Sequence, residues 1–147
     1  MIAVCEGLRR NRALALACLG RIDDGLQELS GIPGADPEET AIVAVLLAAK
    51  GDRDAAREKI APLQLRADNL AGLSHLHHAQ YHIGAAYALL GDTRKAVLWL
   101  RKASREGLPC FPLFERDRNL DGLRQDPEFA AFMQELKAQA ERFRSTL

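Results

Sequence analysis

Apolar side chains recur every three or four positions along most of this chain, which is typical of amphipathic helices. Three such stretches end in a glycine, and a polar segment able to start a new helix follows at once. The glycines are Gly20, Gly51 and Gly91. A glycine in the left-handed conformation closes a helix, and an aspartate after it can cap the next one. We therefore predict three tight helix–turn–helix joints.

Small or apolar residues stand at matching distances from each glycine. Small side chains are expected where two helices cross closely, so the repetition predicts three similar helical hairpins. The matching residues are Ala13, Leu16, Gly25, Leu29 and Ile32 around Gly20, then Val43, Ala44, Leu47, Ala56, Ile60 and Leu63 around Gly51, and Ile83, Gly84, Tyr87, Ala96, Leu100 and Ala103 around Gly91.

The first unit is the least regular, because Arg12 occupies a position where a large apolar residue is expected. One explanation is that an end unit faces water and lacks the outer part of a core. The other is that a preceding segment packs there in a longer parent protein. The sequence leaves both explanations open.

The third unit resembles a tetratricopeptide repeat. The chain departs from that family in having Gln80 in place of an early tryptophan, and in its uneven spacing. The glycines are 31 and then 40 residues apart, against about 34 in the family, and we place the extra residues around 67–74. The resemblance implies an all-α, right-handed superhelical stack of about three hairpins. The implied units are about 6–35, 37–66 and 77–108.

The chain changes character after the third unit. Gly107, Pro109 and Pro112 cannot continue a helix, so we expect a loop across the end of the stack. Asp126 followed by Pro127 is a helix-start pattern, which predicts a final helix to about Arg144. The loop would carry an apolar clasp of Cys110, Phe111, Leu113 and Phe114.

One stripe of the predicted final helix is apolar and needs to be covered. The helix either caps the open face of the last hairpin, as part of a capping segment 109–147, or enters a groove. That groove can belong to the same chain or to a second copy, which would make a homodimer. The stripe consists of Phe129, Phe132, Met133, Leu136, Ala140 and Phe143.

The stretch from about Tyr81 to Phe143 resembles the closing part of tetratricopeptide domains in some bacterial signalling proteins, notably serine/threonine kinases and transcriptional regulators. Its most specific part is Leu120 to Phe132. The resemblance implies a C-terminal sensor or docking module, or a free-standing relative. The sequence itself contains no kinase or DNA-binding motif.

The charge balance argues against nucleic acid and membrane as partners. Lys plus Arg and Asp plus Glu each number 20, so no overall field attracts a polyanion. The longest apolar run, 41–49, is too short to span a bilayer. We interpret Cys5, Cys18 and Cys110 as reduced, small apolar residues of a cytoplasmic protein.

All four histidines lie between His75 and His82. On a helix His75, His78 and His82 share one face, where neutral imidazoles can bind a transition metal. A durable zinc site takes four protein ligands, or three and a water, and no cysteine or carboxylate stands at a partnering position here. The histidines can instead line a groove or lie on the surface. We expect no metal and no cofactor, and keep a small-molecule or metal-responsive sensor as the alternative function.

No pattern of catalytic residues is evident. No serine stands in a Gly-x-Ser-x-Gly elbow, and no glycine-rich phosphate loop is present. The acidic pairs at 23–24 and 38–39 fall at predicted helix starts, where negative charge is favourable. We expect a protein without enzymatic activity.

The family resemblance implies a concave groove lined by the first helix of each hairpin. The residues at the lining positions are mostly apolar and include no lysine or arginine, so a clamp for an acidic peptide is not expected. An apolar groove suits a peptide or an amphipathic helix of a protein partner. Affinity would come mainly from Tyr81, Leu89, Val45 and Leu14. The implied lining is Leu14, Cys18, Val45, Ala49, His78, Tyr81, Ala85 and Leu89.

Overall fold

The computed structural model describes residues 2–30, 36–67 and 76–145. Every regular element within these residues is a helix, which confirms the all-α class. None of these helices is both long and apolar enough to cross a membrane. The helices are α1 Ile2–Cys18, α2 Ile22–Glu28, α3 Pro37–Lys50, α4 Arg53–Ala67, α5 Leu76–Leu89, α6 Thr93–Glu106, α7 Phe111–Arg116, a 3-10 helix Arg118–Leu123, and α8 Pro127–Arg144.

Three glycines close the first helix of each hairpin, as predicted. Gly20, Gly51 and Gly91 have φ of 77°, 93° and 76°. At each joint the glycine N–H donates to the carbonyl three residues earlier, and the next N–H donates to the carbonyl five residues earlier. These two bonds satisfy carbonyls that a helix end leaves free. The same local chemistry therefore makes all three joints.

The second helix of a hairpin is capped by aspartate at two of the three joints. Oδ1 of Asp52 accepts from the Ala55 N–H at 3.3 Å, and Oδ1 of Asp92 accepts from the Lys95 N–H at 3.2 Å. The expectation of an aspartate cap is wrong at the first joint, because Arg21 holds the cap position and makes no side-chain cap bond. Asp23, two residues further on, accepts from Lys50 Nζ at 2.6 Å instead.

Small residues allow the two helices of a hairpin to cross closely. A Cβ added to Gly25 would lie 2.8 Å from the carbonyl oxygen of Ala13, and one added to Gly84 would lie 2.8 Å from two atoms of Leu100. The alanines at the matching positions are fully buried: Ala13, Ala44, Ala56 and Ala96. The predicted role of these positions is confirmed.

The core consists of two apolar clusters. The larger one extends from α3 to α8, and the smaller one joins the first hairpin to α3. Arg12 is exposed, and its Nη1 lies 3.5 Å from Oε1 of Glu28. The irregular position of the first unit therefore faces water in this structure. The buried members of the smaller cluster are Ala13, Leu29, Ile42 and Leu46.

The segment after α6 is more helical than the expected loop. The helix α7 begins at Phe111 with Pro112 in its first turn, where the missing N–H of proline has no helical partner to lose. Within the expected apolar clasp only Phe114 is fully buried, while Leu113 is exposed. The predicted start of α8 is confirmed, since Oδ1 of Asp126 accepts from the Phe129 N–H at 2.9 Å.

The apolar stripe of α8 is buried only along the first half of the helix. The helix packs on α6 and α7, and Phe129, Phe132 and Leu136 are buried. The expectation that Phe143 belongs to the covered stripe is wrong, because its side chain is 62% exposed. The 18-residue α8 is longer than the six-residue α7 beneath it. Because α8 packs on α6, the second helix of the last hairpin, it covers that hairpin. None of its described residues lines the groove.

Candidate binding groove

A cavity of about 740 Å³ lies between the first hairpin, α3, α5 and the segment from α7 into the 3-10 helix. We call it the groove. We call the apolar part of its lining from α1, α2 and α3 the floor, and the part from residues 112–119 the wall. The complete lining is Leu14, Ala17, Cys18, Ile22, Val45, Leu46, Ala49, Tyr81, His82, Pro112, Leu113, Arg116, Asp117, Arg118 and Asn119.

The structure brings five of the eight sequence-predicted lining residues together in this groove. Ala49 and Cys18 are exposed on the floor, Leu14 is half-buried, and Val45 is only 3% exposed. The fifth residue, Tyr81, lies on α5 and contacts the wall through Asp117. The contribution of α1 and α3 thus follows the repeat positions.

The lining residues of α5 do not follow the positions that the resemblance implies. Ala85 is 0% exposed, and Leu89 packs against the larger cluster. The reason is that the 3-10 helix lies along α5, with Leu120 and Leu123 buried beneath it. A Cβ on Gly122 would lie 3.8 Å from the Ala88 carbonyl oxygen. The prediction that Ala85 and Leu89 line the groove is therefore wrong.

Tyr81 holds the wall in place. Its hydroxyl donates to Oδ2 of Asp117 at 2.6 Å, and its ring meets that of Phe114 edge-on with centroids 5.1 Å apart. Burial, together with the Asp117 carboxylate, raises the pKa of Tyr81 above its usual range. Only 4% of the residue is exposed. Tyr81 is thus a structural residue of the wall, with little surface left to contact a partner.

Side-chain hydrogen bonds fix the turn between α7 and the 3-10 helix. Oδ1 of Asp117 accepts from the Asn119 N–H at 2.9 Å. The guanidinium of Arg124 donates to the carbonyl oxygens of Phe114, Glu115 and Asp117 at 3.1, 2.8 and 3.1 Å. These bonds satisfy the end of α7, whose last carbonyls have no helical partner.

Two arginines of this turn stand at the groove. Arg116 and Arg118 line it and are exposed. Among the described residues neither forms an ion pair, and the acid between them, Asp117, is bonded to Tyr81. The expectation that the groove lacks arginine is wrong, because the cation-bearing wall comes from outside the repeated units. The helix-breaking residues near 107–112 signalled that the chain turns there, although they did not indicate which face it would cover.

The histidine segment is only partly described. His75 lies outside the described residues, and His78 is not a lining residue of the groove; its Nδ1 lies 3.5 Å from Oε1 of Glu38. Burial, followed by the nearby charges of His78 and Arg10, lowers the pKa of His82 to about 4. His82 is therefore neutral at pH 7 where it lines the groove. No group of three metal-ligating side chains occurs within the described parts of the chain.

Cys18 and Cys110 are exposed free thiols. Neither side chain is buried, so neither contributes to the apolar core. The side chain of Cys5 lies outside the described part of the structure.

No family model, no curated protein and no solved structure matches the chain.

Proposed function

We propose that this chain is a tetratricopeptide-like docking module that binds a peptide or helix of another protein in the groove, without a chemical step. Support for a repeat stack comes from the three equivalent glycine joints and from the small residues buried at equivalent positions. The proposed setting is a bacterial signalling protein, as the resemblance implies, and the proposed location is the cytoplasm.

The groove is the observation that carries this proposal. Exposed or half-buried apolar side chains on its floor, such as Leu14, Ala17 and Ala49, face an open cavity. Covering one large apolar side chain of a partner contributes about 1.5–3 kcal/mol. A contiguous apolar surface of this kind on a folded protein generally marks a binding site.

A peptide-display selection on the immobilised protein tests the proposal. Ala49→Glu places a charge on the groove floor at an exposed position, so it should weaken binding of the selected peptides without unfolding the protein. Ala138→Glu makes the same chemical change on the exposed side of α8, away from the groove, and serves as the control. Circular dichroism checks that both variants remain helical.

Selected peptides that lose at least about tenfold in affinity for Ala49→Glu, and none for Ala138→Glu, would support the proposal; that loss corresponds to about 1.4 kcal/mol. A failure to select any peptide, or equal binding to both variants, would contradict it.

The second candidate is a small-molecule sensor. Its support is the groove volume, which falls in the range of about 300–1,000 Å³ that is usual for small-molecule sites, and the presence of His82 and Tyr81 in the lining. A fragment screen by ligand-observed NMR separates this candidate from the first. Fragments that bind the wild type and not the Ala49→Glu variant would bind in the groove. Zinc titration by calorimetry tests the metal-responsive version of the sensor.

A homodimer through the groove or α8 is a further proposal about partners. Light scattering after gel filtration, repeated over a range of concentrations, measures the oligomeric state directly. Concentration-independent monomer mass would exclude this arrangement.

A further inference from the structure

We propose that Arg116 and Arg118 make the groove selective for an acidic amphipathic peptide, whose apolar side chains lie on the floor while its carboxylates meet the two guanidinium groups. This inference rests on the proposed function and adds the chemistry of the partner to it.

The balance of charge around the groove supports an acidic partner. Asp117, the acid in the lining, is held by the Tyr81 hydroxyl and the Asn119 N–H. His82 is uncharged at neutral pH. At the edge next to Ala49, Lys50 is paired with Asp23. Arg116 and Arg118 form no ion pair among the described residues and outnumber the one carboxylate of the lining, so the lining carries a net positive charge.

The backbone that carries the two arginines is also held in a defined place. They flank Asp117, whose carboxylate is bonded to α5 through Tyr81, and Arg124 holds the preceding turn through three carbonyls. A wall that is already ordered loses little conformational freedom on binding. Guanidinium groups can bind carboxylates through two parallel hydrogen bonds, which adds geometric selectivity to the charge attraction.

The apolar floor, from α1, α2 and α3, and the charged wall, from residues 112–119, are separate parts of the lining of one open groove. A ligand that satisfies both must carry apolar groups on one side and acidic groups on the other. A short peptide with leucine or phenylalanine on one face and glutamate or aspartate on the other meets this requirement, in the helix-in-groove manner. We commit to such a segment of another protein as the occupant.

The test uses the full chain, with peptides selected from the display library described above as probes. Each selected peptide is resynthesised with glutamine or asparagine in place of its acids, and again with lysine. Binding is measured by fluorescence anisotropy at low and high salt. The variant is Arg116→Glu combined with Arg118→Glu. Its control is Lys59→Glu combined with Lys137→Glu, which changes the net charge equally at exposed positions outside the groove.

We expect the selected peptides to be enriched in acids at a constant spacing from their apolar residues. The arginine variant should bind them about tenfold or more weakly, because two exposed ion pairs are lost and two repulsions appear. The difference in affinity between the wild type and the arginine variant should decrease as the salt concentration increases. The lysine version of a peptide should bind the arginine variant better than it binds the wild type, which a purely structural role of the arginines would not produce.

Equal binding of acidic and neutral peptides, with the Ala49→Glu effect intact, would overturn this inference and leave the proposed function standing. Selection of no peptide at all would overturn both. Other occupants give distinct results: a dimer that Ala49→Glu dissociates would assign the groove to a second copy, and binding of octanoate without binding of any peptide would assign it to a small carboxylic acid. Either result contradicts the peptide proposal.

Discussion

The hydroxyl of Tyr81 in α5 and the carboxylate of Asp117 lie 2.6 Å apart, although 36 residues separate them in the chain. This bond joins the third hairpin to the turn that forms the wall of the groove. Because Asp117 stands between Arg116 and Arg118, the same bond positions the cationic wall. A residue of α5 thus serves the assembly of the groove.

Tyr81→Phe should destabilise the fold by about 1.5–3 kcal/mol, since it removes a hydrogen bond to a charged group and leaves the carboxylate without that donor. Urea unfolding followed by circular dichroism measures the loss. A double-mutant cycle with Asp117→Ala isolates the pair, and additive effects within about 0.3–0.5 kcal/mol would show that the two residues are not coupled.

Phe132→Ala should cost about 3–5 kcal/mol, because the ring is buried between α6 and α7 and leaves a cavity when removed. Its ring contacts that of Phe114 edge-on at 5.5 Å, and the guanidinium of Arg101 lies 5.1 Å from its centroid. Phe143→Ala, on the exposed end of the same helix, is the matched control. Thermal and urea unfolding should show that Phe132→Ala is much less stable than Phe143→Ala. Similar losses would mean that the burial pattern of α8 is different.

Gly84→Ala should destabilise the protein by about 1–3 kcal/mol through overpacking against Leu100, even though alanine favours helix. Gly7→Ala makes the same substitution in α1, where the added Cβ meets no described heavy atom within 4 Å. That variant should be stabilised by up to about 1 kcal/mol. Differential scanning calorimetry distinguishes the two signs, and a stabilised Gly84→Ala would contradict the close crossing of α5 and α6.

His82 should make stability depend on pH. Its folded-state pKa of about 4 lies below the usual unfolded value of about 6.5, so the unfolded chain takes up the proton first. The stabilising effect of the neutral form is complete above pH 6.5 and is lost as the pH falls towards 4. Between pH 7 and pH 5 the wild type should lose about 1–2 kcal/mol that His82→Gln does not lose. Urea unfolding at both pH values checks this, and parallel losses in the two proteins would exclude His82 as the source.

The helices and their ends were predictable from the sequence because they depend on neighbouring residues. Gly51 and Asp52 make the joint between α3 and α4 with hydrogen bonds that reach no more than five residues along the chain. The start of α8 at Asp126 is equally local. The floor of the groove, with Val45 and Ala49, followed from the repeat positions on α3.

The path of residues 107–123 was not predictable in the same way. Proline and glycine indicate that the chain turns, but the direction depends on which distant surface it can bury. Phe114 and Leu120 pack into the core that contains the fully buried Ala85, and the 3-10 helix lies along α5.

The sequence by itself determined the helical class, the three joints and the apolar stripe of α8, because propensity, capping and periodicity act over a few residues. Only the tertiary structure decided that the wall of the groove belongs to the segment after the hairpins and carries Arg116 and Arg118. The physical reason is that contacts such as Tyr81 with Asp117 gain their free energy from the burial and hydrogen bonding of groups far apart in the chain, and no local pattern specifies which groups will meet.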